Sequence, residues 1–292
     1  MTPPRFVVDR SPRGLVVVTG ADATSFLQSL VSQDLDPVAD GQAVDTLLLT
    51  PQGKLDVLAR ARRVGDGWWL DTDAGYGARL AASLTRFRIR VQVDLDDRTA
   101  RTGLVTLVGA DPGPVPDGVA ALPTDWAGLA GVDLLGPLDA VRAAADAIDP
   151  GVPRWDPARF DAFRIEAGVP RLGVDVDDST IPQEAFLDRD AVSFTKGCFV
   201  GQELVCRIDT RGHVNRYLRG VRIDDPTPPP PGARVVVDGA DRGVVTSSAV
   251  VPDEDRAVAL AVVRREVEPP AAVELRWDGT AHPAELVAVD GR

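Results

Sequence analysis

Pro226-Thr-Pro-Pro-Pro-Pro-Gly232 separates two stretches of different pattern. Proline fixes its own φ and lacks a backbone donor, so this run stays out of a central strand and reads as a stiff boundary segment. After it, Val235-Val-Val237, Val244 to Val250, Ala257 to Val263 and Val273 to Trp277 are short β-prone runs. Turn pairs such as Asp238-Gly239 and Asp278-Gly279 separate them. Tyr217 to Ile223 and Ala284 to Val289 bring the number to about six, and a small antiparallel barrel closes such a set without leaving edges.

Ahead of the prolines, helices and strands mix. Asp22 suits the N-cap of a helix through about Val31, with Phe26, Leu27, Leu30 and Val31 on its apolar face. Leu47 to Thr50 and Leu55 to Val64 read as strands around Pro51-Gln-Gly-Lys54. Trp68 to Asp71 reads as another strand and Gly75 to Arg86 as a helix. Phe87, Ile89, Val91, Val93 and Leu95 alternate with Arg88, Arg90, Gln92, Asp94 and Asp96, which predicts a strand with one buried face. Gly131 to Leu135 reads as a strand and Leu138 to Ile148 as an alanine-rich helix. A further helix spans Pro157 to Ala167, with Gly168 just past its end. Without a regular βαβ run, the fold class is α+β. The expected domains are 1–220, with a candidate division into two lobes at the Gly- and Pro-rich loop 111–118, and a barrel over 221–292.

Composition sets the limits. A chain of 292 residues, 44% hydrophobic and 26% charged, has the make-up of a globular protein. A net charge of -12 argues against a general nucleic-acid or anionic-membrane binder. No apolar run reaches the roughly 20 residues of a membrane span, and the N-terminus lacks a signal-peptide pattern. Cys198 and Cys206 form no disulfide framework, so a reducing cytoplasm is the expected location. Neither these cysteines nor His213 and His282 have metal-ligand spacing, and Gly14 to Gly20 has the wrong spacing for a phosphate loop. Two cysteines are too few for a four-thiolate cluster.

The chemistry concentrates in Lys196-Gly-Cys-Phe-Val-Gly-Gln-Glu203, followed by Arg207, Arg211, Arg216 and Arg219. Cations beside Cys198 favour its thiolate, the ingredient of a reactive or binding cysteine; a structural cysteine is the other reading. A Cys198–His213 dyad would need the fold to bring the two together. Guanidinium forks hold carboxylates bidentately, so Arg207, Arg211 and Arg216 are candidate anion ligands as well as ordinary surface charges. Glu166 and Glu184 are candidate acceptors for a row of N–H donors, with a solvated helix end as the plain alternative for Glu166.

The same octapeptide resembles the signature of the YgfZ-type folate-binding proteins. These are relatives of the glycine-cleavage T-protein (aminomethyltransferase) that serve iron–sulfur protein assembly or maintenance. Phe26 to Leu35, Pro51 to Lys54, Arg164-Ile-Glu-Ala-Gly-Val-Pro170 and Ile181-Pro-Gln-Glu184 resemble further family motifs in the family's order. The resemblance implies a T-protein-like, multi-lobed folate-binding region before the barrel, with tetrahydrofolate or a one-carbon derivative as cofactor and iron–sulfur proteins as clients. Glu166 or Glu184 would read the pterin, and Arg207, Arg211 and Arg216 the glutamyl tail. Lys196, Gln202 and Glu203 would share the site with Cys198, a functional cysteine that contacts a client's cluster or sulfur, serves redox protection or shapes the loop. Gln28, Gln33 and Lys54 are weaker candidates on the same resemblance.

One departure separates helper from enzyme. Aminomethyltransferases carry paired aspartates shortly after the glycines matching Gly53-Lys54; here the ungapped match puts Val57 and Leu58 there, with Asp56 one residue early. On a strand, one residue turns a side chain to the opposite face unless a bulge restores it. The expected function is therefore a tetrahydrofolate-binding accessory protein for iron–sulfur enzymes. A folate-dependent aminomethyl or methyl transferase is the alternative, and a scaffold that kept the fold but lost its ligand is a third.

Overall fold

The computed structural model describes residues 4–126 and 128–289. In chain order the elements of the first stretch are β1 (Phe6–Asp9), β2 (Gly14–Thr19), α1 (Ala23–Leu30), β3 (Ala43–Leu49), β4 (Leu55–Val64), β5 (Gly67–Thr72), α2 (Gly77–Arg86) and β6 (Asp94–Asp97). Then come β7 (Thr102–Val108), β8 (Ala120–Trp126), β9 (Leu129–Pro137), α3 (Leu138–Asp146), β10 (Arg154–Trp155), α4 (Pro157–Glu166), α5 (Asp188–Ala191) and α6 (Gln202–Arg211). The chain ends with β11 (Arg216–Ile223), β12 (Arg234–Val237), β13 (Ala240–Val250), β14 (Ala257–Arg264), β15 (Ala271–Trp277) and β16 (Thr280–Val287). Two compact units result: Met1–Pro157 with Asp190–Leu204, and Ala158–Arg189 with Val205–Arg292.

The first unit holds two five-stranded sheets, ordered β3-β4-β5-β2-β6 and β10-β1-β7-β9-β8. Leu15 and Val17 of β2 pack with Leu104 and Leu135 of the other sheet, all buried. A buried charge network also links the sheets. Arg62 on β4 donates to Asp71 on β5 at 2.6 Å and to Asp133 on β9 at 2.7 Å. Asp133 accepts from Thr106 on β7 at 2.6 Å, and Arg13 adds a 2.8 Å bond to Asp71. Burial alone would raise the pKa of both aspartates; the opposing pull of Arg62, with Arg13 on Asp71 and Arg10 on Asp133, outweighs it and holds both below the usual carboxylate range.

The alternating run from Phe87 is extended only at β6. Residues 87–93 form a loop instead, because the amides of Phe87 and Arg88 bond back to Leu84 and Thr85 in the last turn of α2. Arg90 then turns the chain with φ 57°. Asp22 stands at the N-cap of α1, as expected, but its side chain makes no capping bond; its carboxylate accepts from the amide of Gln92 at 2.7 Å and pins the end of this loop. The glycine- and proline-rich loop 111–118 joins β7 to β8 within a single sheet, with β9 between them, so it divides nothing.

The second unit is built on a closed barrel, β11-β14-β13-β12-β15-β16, entirely antiparallel. Its core is small and aliphatic, as a narrow barrel requires: Val221, Val235, Val245, Ala259, Ala261, Leu275 and Leu286 among others. The barrel opens at Arg216, so a cut after residue 220 falls inside β11. The proline run 226–232 lies within the barrel as the β11–β12 connection. It is a boundary of strands, not of domains.

Candidate functional site

Residues 190–204 return to the first unit and are tied to the turn after α1. Ser193 N donates to Ser32 O at 3.0 Å, Ser32 Oγ to Ala191 O at 2.5 Å, and Gln33 Nε2 to Asp190 O at 2.7 Å. The Lys196 ammonium points into the same turn, donating to the carbonyls of Gln28, Val31 and Gln33 at 2.8, 2.8 and 2.9 Å. Three acceptors match its three donors at the carbonyl end of a helix, where a cation is favoured. Burial lowers its pKa to about 8, against the raising pull of Asp34 and Asp36. Gln28 shapes this turn too, bonding Asp34 and the amide of Leu35.

Farther along, Gln202 Oε1 accepts from the amide of Phe199 at 3.2 Å and fixes the start of α6. Gly201 (φ 78°) lies against the Pro51-to-Lys54 turn, where an added Cβ would stand 2.4 Å from Thr50 O. Gly53 (φ 75°) is as tight, with a Cβ falling 2.6 Å from Leu204 Cβ. The two motifs thus meet backbone to backbone. Lys196 and Gln202 are spent on building this loop, while Cys198 and Glu203 stand exposed and Lys54 is exposed as well.

Asp56 lies at a β-bulge where Leu55 and Asp56 oppose the single Leu49. Its carboxylate turns to α2, accepting from Arg79 Nε at 2.7 Å and Ser83 Oγ at 2.5 Å, so each oxygen has a partner.

In the second unit, Glu184 sits in a single helical turn, Pro182–Ala185, and is only 8% exposed. Arg216 grips it as a fork, Nε to Oε1 at 2.9 Å and Nη2 to Oε2 at 3.2 Å, while Ile181 N donates to Oε2 at 3.0 Å. Two sequence candidates are therefore brought together, one buried and one at the surface. Beside them Gln183 donates through Nε2 to Val205 O at 2.9 Å, and its buried Oε1 has no partner among the described residues. Sequence reading quoted Gln183 in its motif without singling it out; only its burial marks it. Phe186, held at φ 57°, stacks on Tyr217 at 5.2 Å, with Arg219 over both rings. Such a conformation is strained for an aromatic residue, and the stack holds it there.

The remaining candidates lie elsewhere. Glu166 is exposed and pairs with Arg256 at 2.7 Å. Arg207 and Arg211 are exposed, one turn apart on α6. No group of three metal-ligating side chains occurs among the described residues. A buried carboxylate, next in the chain to a glutamine whose amide oxygen is orphaned, offers acceptors of the kind that suit a ligand edge bearing several N–H donors, as a reduced pterin does.

Residues 216–289 match the model of the glycine cleavage T-protein C-terminal barrel domain. The chain is similar to an aminomethyltransferase of Rubrobacter xylanophilus, 27% identical over 285 residues, covering 89% of this chain and 76% of that one. It is 31% identical over 250 residues to the mitochondrial iron–sulfur cluster assembly factor IBA57 homolog of Mycosarcoma maydis, covering 75% of this chain but only 57% of that relative. Against the tRNA-modifying protein YgfZ of Cronobacter sakazakii it is 26% identical over 290 residues, covering 92% and 87%. The crystal structure of the glycine cleavage system aminomethyltransferase T from Bartonella henselae shares its fold, with TM-score 0.85, 21% identity and 99% and 86% coverage.

Proposed function

Because this chain is a YgfZ-type relative of the glycine-cleavage T-protein family, we propose that it binds tetrahydrofolate, or a one-carbon derivative, and supports iron–sulfur proteins. The observation that carries this reading is Glu184, buried, ionically paired with Arg216 and adjacent to the unpartnered Gln183 Oε1. Glu184 would accept from the pterin N–H groups, with Gln183 as a further acceptor. The Ile181 amide and Arg216 fix the direction of the carboxylate, which lowers the cost of ordering it on binding. Arg207 and Arg211, exposed on α6, are the guanidinium groups available for the glutamyl tail. Bound tetrahydrofolate would supply one-carbon carrying capacity, and the chain's own residues supply its recognition.

The accessory role is favoured over aminomethyl transfer by Asp56. Proton handling at a reacting nitrogen needs a carboxylate aimed at it, and the carboxylate of Asp56 is turned to α2, where Arg79 and Ser83 take it. Cluster assembly and tRNA modification are the roles named for two of the relatives. Of these we take iron–sulfur assembly or maintenance, with exposed Cys198 as the residue that meets a client. Both thiols are free, as suits a reducing cytoplasm. No helix among the described residues is long and apolar enough to cross a membrane.

Anaerobic calorimetric titration with tetrahydrofolate tests the proposal. Saturable binding near one equivalent per chain is expected; a folded sample that gives no saturable heat overturns it and leaves the scaffold alternative. A product assay with aminomethyl and N-methyl donors should show no methylenetetrahydrofolate, and turnover would restore the transferase reading.

A further inference from the structure

The loop leaving α2 differs from the rest of this acidic molecule. Arg86, Phe87, Arg88, Ile89 and Arg90 are consecutive and all exposed, in a chain of net charge -12. Phe87 is 39% and Ile89 71% exposed. Grouped apolar side chains at a surface, rimmed by polar ones, mark contact sites. Arg88 reaches only the exposed Asp94, at 3.3 Å. The side chains of Arg86 and Arg90 have no hydrogen bond or ion pair among the described residues.

The loop is held in place at both ends. Its first amides bond to the last turn of α2, and at the far end the Gln92 amide donates to the Asp22 carboxylate at 2.7 Å and the Asp22 amide to the Gln92 carbonyl at 3.2 Å. Gly20 allows this approach, since a Cβ there would stand 2.2 Å from Gln92 O. A surface ordered in advance loses little entropy on binding. Arg86 and Phe87 also border a cavity of about 60 Å³ floored by Leu30, Leu48, Leu49 and Val200. Asp56 and Ser83 in its wall are bonded to each other, so the interior is largely apolar.

We infer that this loop and cavity form a docking surface for an acidic segment of a partner protein, which inserts one aliphatic side chain between Phe87 and Val200. Carboxylates on either side of the inserted residue meet Arg86, Arg88 and Arg90, whose charge is opposite to that of the molecule as a whole. The inserted side chain serves as the buried anchor and Ile89 extends the apolar contact. A nucleic acid fits less well, because it has no aliphatic group for the cavity. The inference is independent of the folate proposal, and either can fail alone.

The test uses the full chain and a fluorescein-labelled probe peptide, Glu-Asp-Leu-Asp-Glu, read by fluorescence anisotropy at low salt. Saturable binding is expected, weakened about tenfold by R86E combined with R90E, or by I89D, and about fivefold by Leu→Ser in the probe. Added salt should weaken it further. These side chains are exposed, so the variants should keep the wild-type circular dichroism and melting temperature. Absence of saturable binding overturns the inference, as does indifference to the substitutions or to the probe's leucine. Tighter binding of a single-stranded RNA dodecamer that competes for the loop overturns it too.

Discussion

Arg62→Ala should lower the stability of the protein by about 3–5 kcal/mol, the usual result of removing one partner from a buried ion pair. Arg62 is 1% exposed and supplies both the bond to Asp71 and the bond to Asp133, so its loss leaves two buried carboxylates short of a cation. Asp71 retains Arg13 at 2.8 Å, whereas Asp133 retains the hydroxyl of Thr106 and the more distant charges of Arg10, at 4.0 Å, and Arg60. Arg276→Ala, which breaks an exposed pair with Glu274, should cost about 0–1 kcal/mol. Equilibrium urea unfolding of the three proteins distinguishes these values, and a loss under about 1 kcal/mol for Arg62→Ala would remove the network from the account of stability. The sign of the pH dependence follows from the depressed pKa values of Asp71 and Asp133. Their stabilisation is complete above the ordinary carboxylate pKa of about 4 and is lost as pH falls through the lower folded values. Wild-type stability should therefore decline below about pH 4, and in Arg62→Ala this acid decline should be smaller, because the two aspartates lose the cation that holds their folded values down.

Gly201→Ala should cost about 2–4 kcal/mol and loosen the junction of the two motifs, while Gly197→Ala, four residues away, should be nearly neutral. At Gly201 the backbone is left-handed, worth roughly 1–2 kcal/mol against any other residue, and the new Cβ meets the carbonyl of Thr50, a backbone atom that cannot step aside. At Gly197 nothing lies within 4 Å. Amide exchange should rise in residues 49–54 and 199–204 of the Gly201 variant only. Equal melting temperatures for the two variants would mean that the turn yields freely and that the contact does not order the motif.

Strong local periodicity carried much of the fold into the sequence. Leu55 to Val64, Pro157 onward and the barrel strands lie close to where pattern and turn residues put them. β2 and β7 went unseen because both are continuously buried runs, without the alternation that betrays a half-wet strand. The Phe87-to-Leu95 run shows the converse: perfect alternation, but the end of α2 holds its first amides and Arg90 turns left-handed. The proline segment was legible as a break in pairing, yet a barrel also needs such a connection between its own strands.

The candidate site was legible in composition more than in role. Sequence motifs selected Glu184 and Arg216, and the fold pairs them; it separates Glu166, which pairs with Arg256 at the surface. Lys196 looked like a ligand-binding cation, but the carbonyls that occupy it come from residues more than 160 positions away, which no local pattern reports. Gln183 stands out only through an oxygen left without a partner, a property of packing.

The most direct test of the folate assignment is the same anaerobic titration with Glu184→Gln and Glu166→Gln side by side. Glu184→Gln keeps the shape but turns a charged acceptor into a neutral amide, and should weaken tetrahydrofolate binding about tenfold or more, with circular dichroism confirming the fold. Glu166→Gln should leave affinity within about twofold, since it alters only an exposed pair. Wild-type affinity in the Glu184 variant, or a greater loss in the Glu166 variant, would contradict the assignment of the pterin to Glu184.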